Sequence, residues 1–135
     1  MPKVSTETLL KFLADKDWPL EAVENHFYLE HQGAHGLFPT ELHLNEQNHY
    51  VYADAFLLET VPIIERPEVA QLMNDVNTEM DFGHFILNME TGVIKARAGI
   101  FYGDADFEIA MAVNCLHTAT TLIDEIAQEL KSFMP

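Results

Sequence analysis

Residues 66–97, RPEVAQLMNDVNTEMDFGHFILNMETGVIKAR, carry the plan of the fold in one stretch. Pro67 suits a first helical turn, where its missing N–H costs nothing. Glu65 stands at the cap position ahead of it. Val69, Leu72 or Met73, Val76 and Met80 then recur at helical spacing. Asp81-Phe82-Gly83 ends the helix, with Gly83 suited to the left-handed residue of a helix stop. There the apolar period shortens from helical to alternating. Phe85, Leu87 and Met89 alternate with His84, Ile86 and Asn88. Glu90-Thr91-Gly92 makes a hairpin turn, Gly92 supplying the positive φ. On the return strand Ile94, Ala96, Ala98 and Ile100 share one face, and Lys95 and Arg97 lie on the other. The stretch is scaffold without chemistry: it has no nucleophile elbow, phosphate loop or metal pair.

Working back toward the start, Ser5 or Thr6 can cap a first helix whose stripe is Leu9, Leu10, Phe12 and Leu13. Asp17-Trp18-Pro19 ends it, because a residue before proline avoids the α region. From Glu21 to Gln32 the pattern reads as one strand with Phe27 and Leu29 on one side. Gly33-Ala34-His35-Gly36 is a corner. Residues 37–45 form a second strand, with Pro39 marking an edge or bulge near its start. After the turn Asn45-Glu46-Gln47-Asn48, a third strand runs from Tyr50 to about Glu59. Beyond the opening stretch, Gly103-Asp104-Ala105-Asp106 is a loop whose acids suit a helix N-terminus. The last helix spans roughly 106–132, with a main stripe from Ile109 through Ala112, Leu116, Ala119, Ile123 and Ile126 to Leu130. Met111, Cys115 and Leu122 add apolar surface off that stripe. A helix that is apolar beyond one face is buried on two sides, the second side belonging to the same domain or to another subunit. The resulting order is α-β-β-β-α-β-β-α. Short connections imply antiparallel pairing, and the helices cover one sheet face in an α+β two-layer domain.

The 135 residues are expected to form one domain, 1–135, with a real core. Apolar residues make up 48 % of the chain, which argues against disorder. No apolar run is long enough to span a bilayer. The opening residues mix charged with apolar side chains, unlike a signal peptide. The lone cysteine, Cys115, excludes an internal disulfide and points to a reduced, cytoplasmic setting. Charge is the strongest compositional signal, at a net −15. From Asp17 to Glu65 there are nine acids and no Lys or Arg, and from Ala98 to Leu130 six acids and again none. Such a surface repels nucleic-acid phosphates and anionic membranes. It attracts a basic or amphipathic polypeptide.

The opening stretch also resembles a known family. RPEVAQLMNDVN followed by GHFILNMETGVIKAR is similar to the YbjN-type domain, a family labelled as a bacterial sensory transduction regulator. The matching positions are Arg66, Pro67, Glu68, Val69 and Ala70, then Asn74 and Asn77, then Gly83, Phe85 and Leu87 of a G-x-F-x-L strand. Glu90 and Gly92 follow in the turn, and Lys95 and Arg97 on the return strand. The resemblance implies a fold similar to type III secretion chaperones, which are small, acidic and usually dimeric, and it implies no catalytic residues. Ala96, Ala98 and Gly99 depart from the bulkier return strand of the family, leaving room for a close-packed helix or a second subunit.

No other constellation points to catalysis. There is no G-x-S-x-G, Walker A or G-x-G-x-x-G pattern. Cys115 and His117 are two apart on a helix and do not share a face, so the thiol reads as a small buried hydrophobe. Asp104 with Asp106, and Asp124 with Glu125, read as capping and solvated acids. His31 and His35 bracket a glycine corner and are the natural site of the alternative function, a small-molecule or metal-responsive sensor. A metal site needs three or four convergent ligands, and no cofactor or metal is expected. Met73, Met80, Met89 and Met111 suit core packing or an adaptable surface. Lys95 and Arg97, two of seven basic residues, either pair with acids on neighbouring strands or meet the acidic surface of a second subunit. The expected function is a non-enzymatic, acidic, polypeptide-binding domain, a regulatory adaptor or chaperone-like homodimer. Lys95, Arg97, Met111, Cys115 and Leu122 are its candidate partner or dimer contacts.

Overall fold

In the computed structural model, which describes residues 6–16, 21–23 and 26–134, one antiparallel sheet carries all the helices on one side. Helix α1 spans Thr6–Asp15. Strands β1 (Glu21–Val23), β2 (His26–Gly33), β3 (Gly36–Asn45) and β4 (Tyr50–Phe56) follow as a meander. Helix α2 (Arg66–Glu79), strands β5 (His84–Leu87) and β6 (Ile94–Phe101) and helix α3 (Ile109–Glu129) complete the order. The sheet order is β1-β2-β3-β4-β6-β5.

This is the expected α+β two-layer class with one strand more. Residues 21–32 are not a single strand: β1 pairs back on β2, with Val23 opposite His26. The third expected strand ends at Phe56 rather than Glu59. The chain beyond it stays beside β6 through two bonds, Leu57 N–H to Ile94 carbonyl at 3.0 Å and Val61 N–H to Gly92 carbonyl at 2.9 Å. Helix α3 starts at Ile109, and Glu108 at its N-cap makes no side-chain capping bond. The acids of 104–106 therefore do not cap it; Phe107 turns into the core ahead of the helix instead. The Asp17-Trp18-Pro19 stop and Ser5 lie outside the described residues.

Period-2 burial follows the sequence closely. Phe27 and Leu29, Phe38, Leu42 and Leu44, Val51, Ala53 and Ala55, and Ile94, Ala96 and Ala98 all point to the helical side. There they meet Leu9 and Leu13 of α1, Val69 and Met73 of α2, and Ala112, Leu116, Ala119, Ile123 and Ile126 of α3. Ala96 and Ala98 lie in the strand against which α3 packs, and their small side chains let the helix approach.

Two side chains tie the opening stretch together. Arg66 donates from Nε to the Val61 carbonyl at 2.9 Å and from Nη1 to the carbonyls of Met89 and Glu90 at 3.1 and 3.0 Å. It thereby holds the start of α2 to the β5–β6 turn. Gly92 in that turn has φ +79°, and a Cβ there would lie 2.4 Å from the Val61 carbonyl oxygen, so no side chain fits. Asn77 acts as a short surrogate strand on the free edge of β5. Its amide donates to the Phe85 carbonyl at 3.0 Å, and its oxygen accepts the Phe85 N–H at 2.7 Å. That clip satisfies an edge that would otherwise invite another chain.

Candidate functional site

The sheet face away from the helices is the feature that could meet a partner. Outward positions are the alternates of the buried ones: His26, Tyr28 and Glu30 on β2; Pro39, Glu41 and His43 on β3; Tyr50, Tyr52, Asp54 and Phe56 on β4; Lys95, Arg97 and Phe101 on β6. No helix among the described residues lies over them. The layer is aromatic and charged, which is not what a merely solvated sheet face requires.

At its centre sits Asp54, 3 % exposed although no helix among the described residues covers it. Arg97 donates from Nε to Asp54 Oδ1 at 2.7 Å and from Nη2 to Oδ2 at 2.8 Å, the bidentate fork that guanidinium geometry favours. Lys95 donates from Nζ to Oδ2 at 3.2 Å. Burial pushes the Asp54 carboxyl up, but the bonds from Arg97 and Lys95 outweigh it and hold the group below its usual value. The cations also lie on aromatic rings. The Arg97 guanidinium is 4.4 Å from the Tyr52 ring centre, and Lys95 Nζ is 5.7 Å from that of Phe56. Lys95 and Arg97 thus find their acid within the chain, as cross-strand pairing would have it.

Beside this cluster His43 Nδ1 and His26 Nε2 lie 2.6 Å apart, within hydrogen-bond distance, the tautomer deciding which ring donates. His43 also packs on Tyr52 and Tyr50, ring centres 5.0 and 5.9 Å away. Burial first, then the nearby His26 and Arg97, lower the His43 pKa, with Asp54 opposing them.

The other candidate residues sit elsewhere. Cys115 is 2 % exposed on α3, its Sγ 3.9 Å from the Val51 carbonyl. Its surface is consumed inside the chain, so it offers nothing to a partner docking on the folded protein. Burial raises its thiol pKa to about 11. Met111 and Leu122 are partly buried against the core. Leu122 backs Gly83, where a Cβ would come within 2.8 Å of its Cδ1. At the His31–His35 corner, His35 Nδ1 lies 3.5 Å from Asp124 Oδ1, and the same carboxylate accepts the Ala34 and His35 N–H groups at 3.1 and 2.7 Å. His31 stacks on Phe38 and acts on Asp124 only through its charge, the smallest of the contributions there. Asp124, expected as a solvated acid, fastens the β2–β3 turn to α3. Among the described residues no group of three or more His, Cys, Asp or Glu could hold a metal ion, and no helix is long and apolar enough to cross a membrane.

What the sequence reading missed is Asp54, Tyr52 and the His26–His43 pair. The one available signal was alternation along 50–56, which puts Tyr50, Tyr52, Asp54 and Phe56 on one side.

The crystal structure of YbjN from E. coli, described as "a putative transcription regulator", superposes on this chain with a TM-score of 0.74. The match covers 97 % of this chain and 96 % of that one at 12 % sequence identity, a likeness of fold. No curated protein matches the chain in sequence. The family model for YbjN, "Putative bacterial sensory transduction regulator", matches residues 5–130. The chain belongs to the YbjN family.

Proposed function

We propose that this chain is a non-enzymatic regulatory adaptor, chaperone-like in manner, that binds a polypeptide partner across its open sheet face in the cytoplasm. The observation that carries the reading is the uncovered layer of Tyr28, Tyr50, Tyr52, Phe56 and Phe101 around a fixed Asp54–Arg97–Lys95 cluster. Rigid aromatic side chains beside satisfied charges are what a protein-binding surface uses, giving large contact area at small entropic cost. The net charge of −15 favours a basic or amphipathic partner and disfavours direct contact with nucleic-acid phosphates. The family's regulatory description agrees with a role exercised through another protein. Self-association into a homodimer belongs to the same reading. With Lys95 and Arg97 engaged on Asp54, it falls to exposed apolar side chains such as Leu58, Ile63 and Ile64.

The test is affinity capture from the native host with the wild-type chain and with Tyr50→Ala/Phe101→Ala. Phe101 is 75 % exposed, and Tyr50 lies on the face away from the helices, outside the buried core. A polypeptide retained by the wild type, lost by the face variant and rebound as a purified pair supports the reading. A partner held equally by both chains, or turnover of a substrate by the purified protein, overturns it. Solution molar mass tests the dimer, with a monomer at micromolar concentration refuting it.

A further inference from the structure

We infer that the trough on the β1–β4 half of the open face is the docking site for an extended, arginine- or lysine-bearing segment of a partner protein, with a cation seated over Tyr28. The inference rests on the polypeptide-binding reading and adds where the partner lies and what recognises it. The trough is a shallow, open depression of about 500 Å³, its lining including Glu21, Tyr28, Glu30, Pro39, Glu41 and Phe56.

Strand register shows why this half is incomplete. One row crosses the whole sheet, Glu21–Tyr28–Glu41–Asp54–Arg97–His84, each residue directly opposite the next. Neighbours in such a row bring their Cβ atoms to about 5 Å. On the β4–β6 half, an aromatic ring, a carboxylate and a cation occur together: Tyr52 with Asp54 and Arg97, and Phe56 with Asp54 and Lys95. Around Tyr28, on β1–β3, a ring and carboxylates recur, and among the described residues no Lys or Arg pairs with them. Tyr28 is 39 % exposed and lies between Glu21 and Glu41, with Glu30 two residues along the same strand.

The chain has little left with which to fill that place. Of its seven Lys and Arg, Lys95 and Arg97 are held by Asp54 and Arg66 by three carbonyls. Lys16, just past α1, lies over Phe12, Lys11 is on α1, and Lys131 follows α3. Lys3 is outside the described residues. Among the described residues no ion pair involves Glu21, Glu30 or Glu41.

A second copy of the chain is the weaker occupant. Its matching half offers Lys95 and Arg97 less Asp54, or +2 − 1 = +1, against three trough carboxylates, and each copy carries −15 overall. A foreign basic segment meets both the local acids and the long-range field. Its alternate side chains would also suit a flat, pleated floor.

The test uses a labelled peptide of alternating arginine and threonine as the probe, in fluorescence anisotropy at low salt. Wild type is compared with the trough variant Glu21→Gln/Glu30→Gln/Glu41→Gln. The control is Glu68→Gln/Glu79→Gln/Glu129→Gln, which changes net charge equally on the helices. A third chain carries Tyr28→Leu. The expected result is a loss of about tenfold or more for the trough triple, several-fold for Tyr28→Leu, and about twofold or less for the control triple. Equal losses in the two triples would show diffuse charge attraction and overturn the site. Self-association that the peptide displaces and the trough triple abolishes would assign the trough to a second copy and overturn the occupant. A host partner that is lost on Tyr50→Ala/Phe101→Ala but indifferent to the trough triple would sink this inference while leaving the adaptor reading intact.

Discussion

Replacing Asp54 by Asn should be among the most damaging isosteric changes on the sheet's open face. The volume is unchanged, so no cavity forms, and the whole effect is electrostatic. In the native chain the carboxylate accepts three charge-assisted bonds, two from Arg97 and one from Lys95. An Asn oxygen can retain the Arg97 Nε bond, but its NH2 group then confronts Arg97 Nη2 and Lys95 Nζ, donor against donors. Hydrogen bonds to charged groups are worth about 1.5–3 kcal/mol each. The Lys95 and Arg97 side chains are 24 % and 33 % exposed, so water relieves part of the loss and the low end applies. Two bonds lost, with two cations left close together, give a destabilisation of about 2–4 kcal/mol.

Urea unfolding followed by circular dichroism measures this directly, as a lower midpoint at unchanged slope. Adding Arg97→Gln to the Asp54→Asn background should cost less than the sum of the single changes, because the second removes a charge that the first left unpaired. The acid limb supplies an independent check. Asp54 has a folded pKa below 3.8, so its contribution is complete above that value and disappears as pH falls through the folded pKa. The gap between wild type and Asp54→Asn should therefore close in acid. A variant within about 0.5 kcal/mol of wild type near neutral pH would refute the reasoning, showing the cluster to be a solvated surface pair.

Three further outcomes follow from the geometry of other side chains. His43 has a folded pKa below 6.5, so between the two values the unfolded chain binds the extra proton and stability rises with pH; His43→Gln should flatten that slope in urea midpoints taken from about pH 5 to 7. Cys115, with its thiol pushed up to about 11, should resist alkylation in the native protein and react in urea only as fast as the chain unfolds; rapid native labelling would contradict its burial. Asn77→Ala should cost about 1–3 kcal/mol and speed amide exchange at Phe85; undiminished protection there would mean the β5 edge does not need the clip.

The fold was legible wherever the signal was local. Alternation along 84–101 placed Lys95 and Arg97 opposite Ile94, Ala96 and Ala98, and the backbone agrees. The stripe of Val69, Leu72 or Met73, and Val76 placed α2, and the structure buries Met73 of the two alternatives. What failed was either compensated locally or lay far apart in sequence. The 104–106 acids looked like caps, but burying Phe107 delayed α3 to Ile109. Glu21–Gln32 read as one strand because β1 shows no buried face that would set it apart from β2. Asp54 could not be assigned to Lys95 and Arg97, which lie 41 and 43 residues onward. That pairing depends on β6 returning beside β4 after α2 and β5, a topology that spacing does not encode.

That long-range cluster also explains the polarity of the face. A half-buried ion pair is a poor stabilising device, since apolar residues of the same volume often serve as well or better. What it secures is position: Asp54 holds Arg97 over Tyr52 and Lys95 near Phe56, on the β4–β6 side of the face. With those cations immobilised on one carboxylate, the field of Glu21, Glu30 and Glu41 is left uncancelled only a few strands away. Releasing Lys95 and Arg97 from Asp54 should therefore weaken capture of a basic segment in the trough, because freed cations would compete for the same acids. Asp54→Asn, at a site outside the trough lining, should lower affinity for the arginine–threonine peptide by more than the loss of one remote negative charge does. The control Glu68→Gln, which also removes one negative charge, should leave that affinity nearly unchanged. Equal effects of the two changes would show that the cations of β6 exert no control over the acidic half.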